Sequence, residues 1–388
     1  MPKLINLGCK LNQYEGFCLI KKFGHLDDLV VVNTCCVTKE AEQKSLKKYR
    51  QALKKYPQGR IIATGCVCRL TPEKFSKAYQ VIDNVQRVEL IENILPEPGK
   101  SRYFLKIEDG CNGTCTFCIV SKIRNTVRSK PLADIVEEVS WAIALGFKEI
   151  VLVGANIGLY GFDSGLCLTD LLKTLAEIKD LPRIRLSSIE PQFISDELIA
   201  DLKQLPFCRH FHIPIQSGDD HVLSGMGRNY DIFRLNKIIE LVSTNFTDVA
   251  IGADVIVGFP TEGDTEFANT YNFLNTNPFT HLHVFPYSPR PQTEAYSHGN
   301  PVPGNLKNGR LWQLKDLIAE KNYQFRLGLI GKNLDAIIEE NRDKSSIGLT
   351  DNYLRVALDS KQKKNERMKI KITQVTKEST LGSVSSNE

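Results

Sequence analysis

The sequence lacks the features of a membrane-spanning protein and of a secreted, disulfide-stabilised one. No apolar run approaches the roughly 18–20 residues that cross a bilayer, and the start, Met1-Pro2-Lys3-Leu4, has no signal-peptide pattern. The 11 cysteines among 388 residues are too dilute for a disulfide scaffold, and several of them lie in close groups. We therefore expect reduced thiols that bind metal in a cytoplasmic protein.

A strong excess of one charge is also missing. The net charge is +5, and the 42% hydrophobic and 24% charged residues are ordinary for a globular protein and argue against wholesale disorder. The length predicts two or three domains. Because the net charge is modest, any argument about a nucleic-acid partner depends on where the basic residues lie.

The most informative stretch holds three cysteines within eight residues. Cys111, Cys115 and Cys118 read C-x3-C-x2-C, with no fourth cysteine nearby. Thiolates select iron–sulfur clusters, zinc or copper, and a closed structural zinc site takes four ligands. Three ligands leave one position of a cluster open for a small molecule. The alternatives are a zinc site with a distant fourth ligand and three ordinary core cysteines.

This spacing, with Phe117 directly before the last cysteine, resembles the signature of the radical S-adenosylmethionine (SAM) superfamily. The resemblance implies a [4Fe–4S] cluster on Cys111, Cys115 and Cys118, with SAM bound at the open iron and cleaved to a 5′-deoxyadenosyl radical. In such an enzyme the cofactor carries the difficult chemistry and the protein positions it.

A second group of cysteines is predicted at the end of an amino-terminal sheet. Strand–helix–strand order predicts parallel strands at 3–7, 29–33 and 60–64. The carboxyl ends of such strands meet at one edge, so Cys9, Cys35 and Cys66 come together there and favour a second metal site. At each position alone, a buried core cysteine is the alternative. Cys36 and Cys68 flank the proposed ligands and are expected to be extra thiols outside the ligand set.

Three segments around these cysteines resemble the methylthiotransferase family. They are Leu-Gly-Cys-Lys-Leu-Asn-Gln-Tyr-Glu at 7–15, Val-Asn-Thr-Cys at 32–35 and Thr-Gly-Cys at 64–66. The resemblance implies a second [4Fe–4S] cluster on Cys9, Cys35 and Cys66. The first segment is closest to the branch that acts on N6-threonylcarbamoyladenosine in tRNA.

The middle of the chain reads as six strand–helix units. Apolar strands are predicted near 103–107, 150–153, 184–187, 211–215, 253–259 and 282–286, followed by a linker at 292–309 and a helix at 311–328. This order predicts a partial (β/α)6 barrel, whose chemistry lies after the strands. Polar residues at these points are candidate SAM contacts, with ordinary polar loops as the alternative: Asn156, Glu190, Gln216, Ser217 and Arg228.

A basic stretch follows the three-cysteine motif. Lys122, Arg124 and Arg128 lie beside the expected chemistry and are candidates for binding tRNA phosphates or the threonylcarbamoyl carboxylate. A solvated loop is the alternative.

Residues 327–388 have a different pattern, with short β-like runs that predict a small antiparallel barrel. The segment 361–371 holds six basic residues and one acid, and small barrels of this kind often bind oligonucleotides. A solvated basic hairpin is the alternative. The segment resembles the tRNA-binding TRAM domain, and the Ser-rich tail after Lys377 is predicted to be disordered.

Together these features predict an α/β protein with domains at 1–97, 98–326 and 327–388. The family resemblance implies a tRNA methylthiotransferase that uses SAM, two [4Fe–4S] clusters, a reductant such as flavodoxin or ferredoxin, and a sulfur donor, without a membrane. No catalytic side chain is assigned. Methylthiolation of N6-isopentenyladenosine, methylthiolation of a ribosomal-protein aspartate, and a non-enzymatic iron–sulfur RNA-binding protein remain open.

Overall fold

The structure, a computed structural model, describes residues 2–98 and 101–385. The chain begins with a parallel sheet of order β1-β2-β3-β4. Its strands are β1 (Lys3–Asn6), β2 (Leu29–Thr34), β3 (Arg60–Gly65) and β4 (Gln80–Ile82), and its helices are α1 (Lys10–Phe23), α2 (Lys39–Lys55), α3 (Cys66–Leu70) and α4 (Asn84–Ile91). Every residue of β2 is buried, as in a parallel strand covered on both faces. The three predicted strands are confirmed.

Six further parallel strands form the partial barrel. They are β5 (Tyr103–Lys106), β8 (Glu149–Val153), β9 (Arg183–Leu186), β10 (His210–Gln216), β11 (Ala250–Val257) and β12 (Phe279–Pro286), and β6 (Glu108–Asp109) pairs with β7 (Arg128–Ser129). The helices are α5 (Val120–Ile123), α6 (Leu132–Ala144), α7 (Leu168–Ala176), α8 (Asp196–Lys203), α9 (Asp220–Gly225), α10 (Ile232–Asn245) and α11 (Asp264–Thr276). Two parallel bridges, Ile184–Phe207 and Ser188–His212, connect the two three-stranded sheets.

Strand alternation separates the outside of this barrel from its lumen. On β10, Phe211, Ile213 and Ile215 belong to the apolar core that includes the surrounding helices. His210 and His212 therefore point to the opposite face, into the lumen. His212 lies 2.9 Å from Asp254 of β11, which lies 3.1 Å from His283 of β12, so neighbouring strands share this lumen face.

The amino-terminal domain packs against the lumen side of β5 and β8. Tyr14 and Leu19 of α1 share a buried apolar cluster with Phe104, Val151 and Val153. The cysteine-bearing edge of the first sheet is therefore held next to the barrel by a hydrophobic core, which contributes roughly 25 cal/mol per Å² of apolar surface buried.

The carboxyl-terminal part begins with α12 (Gly304–Leu327), whose Leu314 and Ile318 join the core of the central barrel. A closed barrel of order β13-β14-β15-β17-β16 follows, with β13 (Asn333–Asn341), β14 (Ser346–Thr350), β15 (Arg355–Leu358), β16 (Arg367–Val375) and β17 (Thr380–Val384). The small barrel is confirmed, and its pairs are antiparallel except for β15 with β17.

Two expectations for this part are wrong. The helix begins at Gly304, seven residues before the predicted start, so the expected linker is partly helical. The tail after Lys377 is ordered through β17, which pairs with both β16 and β15. Arg326 donates to the carbonyls of Thr376, Lys377 and Ser379 at 2.8–2.9 Å, and these bonds hold the turn that composition alone marks as disordered.

The small barrel covers one end of the lumen. Arg183 and Arg185 of β9 donate to backbone carbonyls of the small barrel and pair with Glu149 at 2.7 Å. The Tyr353 ring stacks on His210 with a centroid distance of 4.2 Å. Among the described residues, no helix is both long and apolar enough to span a bilayer.

Candidate active site

The three amino-terminal cysteines lie at one edge of the first sheet, as predicted. Cys9 follows β1, Cys35 follows β2 and Cys66 follows β3. Gly8 and Gly65 have φ values of +98° and +100°, a region that favours glycine. A Cβ on Gly8 would lie 2.9 Å from Cys35 Cβ, so glycine is required for the strand ends to approach this closely.

The local contacts fix these thiols and couple their charges. Asn84 lies 3.7 Å from Cys66 Sγ, and Ser45 bonds to both the N–H and the carbonyl of Cys35 at 3.0 Å. Burial raises the pKa of Cys9, which a charged Cys66 raises further, and burial raises the pKa of Cys35 to about 11, with both other thiols adding to the shift. None of the three sulfurs is in a disulfide, and as thiolates they repel one another. They form the donor set expected of a soft metal centre.

The two cysteines that flank the predicted ligands are core residues. Cys36 and Cys68 are both buried in the apolar cluster of this sheet. The Cys36 thiol bonds to Cys66, which lowers the pKa of Cys66 and raises that of Cys36. Cys68 lies 3.9 Å from Thr34 Oγ1.

The loop cysteines Cys111, Cys115 and Cys118 line a cavity of 320 Å³. A Cβ on Gly113 would stand 3.2 Å from Cys111 Sγ and 3.8 Å from Cys115 Sγ, so the two sulfurs converge on the same small space. Burial raises the pKa of Cys118 to about 11. The three thiols are only half-buried, and the cavity that they line fits a cluster with one side open to a small ligand.

Arg124 connects the two cysteine groups. Its carbonyl accepts a bond from Cys111 N at 2.8 Å, and its guanidinium charge lowers the pKa of Cys66 against the effect of burial. The guanidinium is buried and pairs with Glu15 at 2.8 Å and Asp109 at 2.5 Å. Arg124 therefore adjoins both cysteine groups, the loop group through its backbone and the sheet group through its side chain.

This placement corrects the expectation that Arg124 binds tRNA. The guanidinium faces two carboxylates and Asn12 Oδ1, all inside the contact between the first domain and the barrel. Glu15 also pairs with Arg87 at 2.5 Å and Lys106 at 3.0 Å. Arg124 is therefore a structural residue of the domain contact.

Arg228 lies at the loop cysteines, where the SAM contacts are expected. It donates to Cys115 Sγ at 3.0 Å and to Tyr230 Oη at 2.7 Å, and it pairs with Glu190. Both charged candidates after β9 and β10 thus lie beside one ligand cysteine. Glu190 is half-buried, and Arg228 pairs with one of its carboxylate oxygens.

Asn156 approaches the same group from the end of β8. Its side chain donates to Cys111, which lowers the pKa of that thiol against the larger effect of burial. Its backbone N–H donates to Glu108 Oε2 at 2.8 Å, and its own Oδ1 is buried without a hydrogen-bond partner among the described residues. An unsatisfied buried oxygen of this kind points to a missing ligand.

The remaining two candidate SAM contacts differ from each other. Gln216 has a φ of +67°, a strained backbone for a non-glycine residue and a frequent feature of functional sites, and its amide has no partner in the described part of the chain. Ser217 is fully buried and its hydroxyl lies 3.1 Å from Thr270 Oγ1. Its position corrects the expectation of a SAM contact, because the hydroxyl supports the turn after β10.

Lys122 and Arg128 are both exposed but face different places. Lys122 lines the cavity of the loop cysteines. Arg128 lines a separate cavity with Tyr14, Glu89 and Asp134. Of the two exposed basic candidates, only Lys122 lies beside the loop cysteines.

Comparison with known proteins agrees with this geometry. Residues 105–274 match the Radical SAM superfamily, and residues 3–86 match the uncharacterized protein family UPF0004. The chain is 33% identical to the threonylcarbamoyladenosine tRNA methylthiotransferase MtaB of Thermotoga maritima, over 87% of this chain and 86% of that protein. The chain belongs to the radical SAM methylthiotransferase family.

Two other relatives are also tRNA-modifying enzymes by name. MtaB of Bacillus subtilis is 34% identical, over 90% of this chain and 88% of that protein. The tRNA-2-methylthio-N(6)-dimethylallyladenosine synthase of a Dehalococcoides mccartyi strain is 32% identical, over 87% and 86%. Among solved structures, the radical SAM methyltransferase TsrM of Kitasatospora setae has a TM-score of 0.55 at 12% identity, over 74% of this chain and 68% of that one, and this likeness confirms the α/β fold.

Sequence reasoning missed two residues of this methylthiotransferase site. Burial raises the pKa of Glu108 to about 8, and its Oε1 has no partner among the described residues. Its position three residues before Cys111 was the available signal. Lys10 directly follows Cys9 and enters the lumen, where its Nζ lies 5.9 Å from the Tyr353 ring centroid. Its place in the segment at 7–15 that resembles the threonylcarbamoyladenosine branch was the available signal.

Proposed function

We propose that this chain adds a methylthio group to C2 of N6-threonylcarbamoyladenosine beside the anticodon of tRNA. The observation that carries the proposal is the pair of cysteine groups that adjoin Arg124, with Cys9, Cys35 and Cys66 near its side chain and Cys111, Cys115 and Cys118 near its backbone. Similarity over 87–90% of this chain to relatives named for this reaction supports the choice of substrate.

Each cysteine group would hold one [4Fe–4S] cluster. Bound SAM at the loop cluster supplies a radical strong enough to remove the hydrogen atom of an aromatic C–H bond, which no side chain can do at neutral pH. Four of the predicted SAM contacts remain candidates. Asn156 has an unsatisfied buried oxygen. Arg228 bonds to Cys115 and pairs with Glu190, and Gln216 forms the strained turn after β10.

The chain's own residues position these groups. Arg228 ties Cys115 to Glu190, so the carboxylate keeps one orientation beside the thiol. Glu108 fixes the loop that carries Asn156. Arg124 keeps the two cysteine groups at a set separation, because its carbonyl bonds to one and its guanidinium is locked into the domain contact beside the other.

The tRNA contacts are proposed at two places. Lys122 is exposed at the cavity mouth, and the carboxyl-terminal barrel carries exposed basic side chains that include Lys361, Lys363, Lys364 and Arg367. Basic groups of this kind bind phosphates with a strong dependence on salt. The anticodon loop is a suitable target because its bases are reached without opening a duplex.

We also propose three domains, 1–97, 98–326 and 327–388, in line with the separate sheets of the fold. The reaction would take place in the cytoplasm, with flavodoxin or ferredoxin as reductant and a separate sulfur donor.

Nucleoside mass spectrometry tests this proposal. The anaerobically reconstituted protein should contain about eight iron atoms per chain, as two four-iron clusters require. With SAM, a reductant and a sulfur donor, it should convert N6-threonylcarbamoyladenosine in tRNA to its methylthio derivative and leave tRNA with N6-isopentenyladenosine unchanged. Iron for about one cluster, or modification of the isopentenyl nucleoside alone, would show that the proposal is wrong.

A further inference from the structure

Lys10 is an unpaired cation placed inside the barrel lumen. It is the first residue of α1 and directly follows Cys9. Its Nζ lies 5.9 Å from the centroid of the Tyr353 ring, which stacks on His210 of β10, so the ammonium group lies in the lumen near the end that the small barrel covers. Across residues 2–98 and 101–385, its Nζ forms no salt bridge and no hydrogen bond, and its aromatic contact is with the Tyr353 ring.

The acidic groups around Lys10 are already paired with other cations. Glu149, whose charge acts on Lys10, is bonded to Arg183 and Arg185 at 2.7 Å. Asp254 accepts from His212 and His283. A partly buried ammonium without an anion is costly to desolvate, so this position favours a negatively charged ligand.

Lys10 is also within reach of a ligand. Its side chain is only half-buried, and the His283 side chain on the lumen wall is 61% exposed, so the lumen is not closed off from solvent. The first turn of α1 has no acidic residue that could compete for the ammonium group.

We propose that Lys10 binds the carboxylate of the N6 substituent of the target adenosine and so determines which modified base the enzyme accepts. This inference rests on the proposed function. The threonylcarbamoyl group is the only part of such a base that carries a carboxylate, and a neutral isopentenyl group would leave Lys10 unpaired. Lys10 thus replaces Arg124, Arg128 and Lys122 as the cation for this group.

The test compares two synthetic anticodon stem-loop RNAs on the reconstituted, SAM-bound protein. One carries N6-threonylcarbamoyladenosine, and the other carries the same base with the carboxylate converted to a carboxamide of nearly equal size. A hydrogen bond between charged groups contributes about 1.5–3 kcal/mol, so wild-type protein should bind the carboxylate RNA about 10- to 100-fold more tightly.

Lys10→Gln should remove this difference by weakening only the carboxylate RNA, and Lys10→Arg should restore part of it. Lys22→Gln, on the exposed last turn of the same helix, is the matched control and should change neither affinity. Iron content and the visible spectrum of both clusters should be the same in all variants, which separates substrate binding from support of the cluster on Cys9.

Three results would overturn the inference: equal binding of the two RNAs by wild type, an unchanged ratio in Lys10→Gln, or loss of iron in Lys10→Gln that accounts for the weaker binding. The proposed function is judged separately, by whether wild type methylthiolates the natural base. Modification of both RNAs at equal rates and affinities would leave that function intact and show that Lys10 has no part in selecting the substrate.

Discussion

The two cysteine groups reach the same region of the molecule by different routes. Cys111, Cys115 and Cys118 come from one loop and line an open cavity. Cys9, Cys35 and Cys66 come from three strand ends and are held by glycine conformations and by bonds to the buried core. The loop group is thus locally encoded, whereas the sheet group exists only when the whole first domain is folded and in register.

This difference has a consequence for coupling between the two groups. Arg124 bonds to Cys111 through its backbone and to Glu15 through its side chain. Ile119 and Ile123, which follow the loop cysteines, also pack in the apolar cluster that contains Cys66. The two groups are therefore linked through the domain contact, but each has its own supporting contacts, so loss of one group should leave the other in place.

The largest effect should come from removing each cysteine group in turn. Replacing Cys9, Cys35 and Cys66 by alanine should abolish methylthiolation but preserve reductive cleavage of SAM, because the loop group stays complete. Replacing Cys111, Cys115 and Cys118 should abolish both activities. Iron and sulfide should fall by about half in each triple variant, as measured by metal analysis alongside chromatography of 5′-deoxyadenosine.

Cys167→Ala is the control for the cysteine triples, because Cys167 is exposed and lies at the start of α7, outside both groups. It should keep both activities. If the sheet triple lost SAM cleavage as completely as the loop triple, the two groups would not be separable in the way that their geometry indicates.

The next largest effect is expected from Glu15→Gln. Three buried cations, Arg87, Lys106 and Arg124, pair with this carboxylate, and removing the charge from such a group costs about 3–5 kcal/mol. The free energy of unfolding should fall by this amount in chemical denaturation, and iron should be lost mainly from the sheet group. Glu97→Gln, which breaks the exposed pair with Lys21, should cost about 0–1 kcal/mol.

The same carboxylate gives a pH dependence with a defined sign. Burial raises the pKa of Glu15, but Arg124, Arg87 and Lys106 together lower it well below its usual value of 4.5. A lowered pKa in the folded state means that the stabilisation is fully present above about pH 4.5 and is lost as the pH falls toward the folded value. Denaturation midpoints at pH 7, 5 and 3.5 should show this loss in wild type and a smaller one in Glu15→Gln. Equal losses in the two proteins would show that another group is responsible.

The comparison also explains what the sequence could and could not predict. The loop group was readable from its spacing, and the sheet group from three strands that each end at a cysteine, because both patterns depend on local periodicity. Arg124 was misread as a tRNA contact, since its partner Glu15 lies 109 residues away and a basic run looks the same whether solvated or buried. The strand β17 was missed because its order comes from the bonds of Arg326, far from it in the chain.

A smaller effect is expected from adding one methyl group at each cysteine group. Gly8→Ala places a Cβ 2.9 Å from Cys35 Cβ on a backbone with φ +98°, and a non-glycine residue in such a conformation costs about 1–3 kcal/mol. It should lower the iron content toward one cluster per chain. Gly113→Ala, with a closest contact of 3.2 Å to Cys111 Sγ, should retain most of its iron. Greater iron loss in Gly113→Ala than in Gly8→Ala would show that the loop group, and not the sheet group, is the more rigid of the two.

The smallest effect should appear in tRNA binding at the mouth of the loop group. Lys122 is exposed and lines that cavity, so Lys122→Gln should weaken tRNA binding and reduce the slope of log affinity against log salt by about one, as expected for one phosphate contact. Arg128→Gln is the matched control, because Arg128 is equally exposed but lines a different cavity. Fluorescence anisotropy across a salt series distinguishes the two variants. A reduced slope in Arg128→Gln with none in Lys122→Gln would mean that tRNA approaches from the side of the Arg128 cavity, and that the loop group does not face the bound RNA.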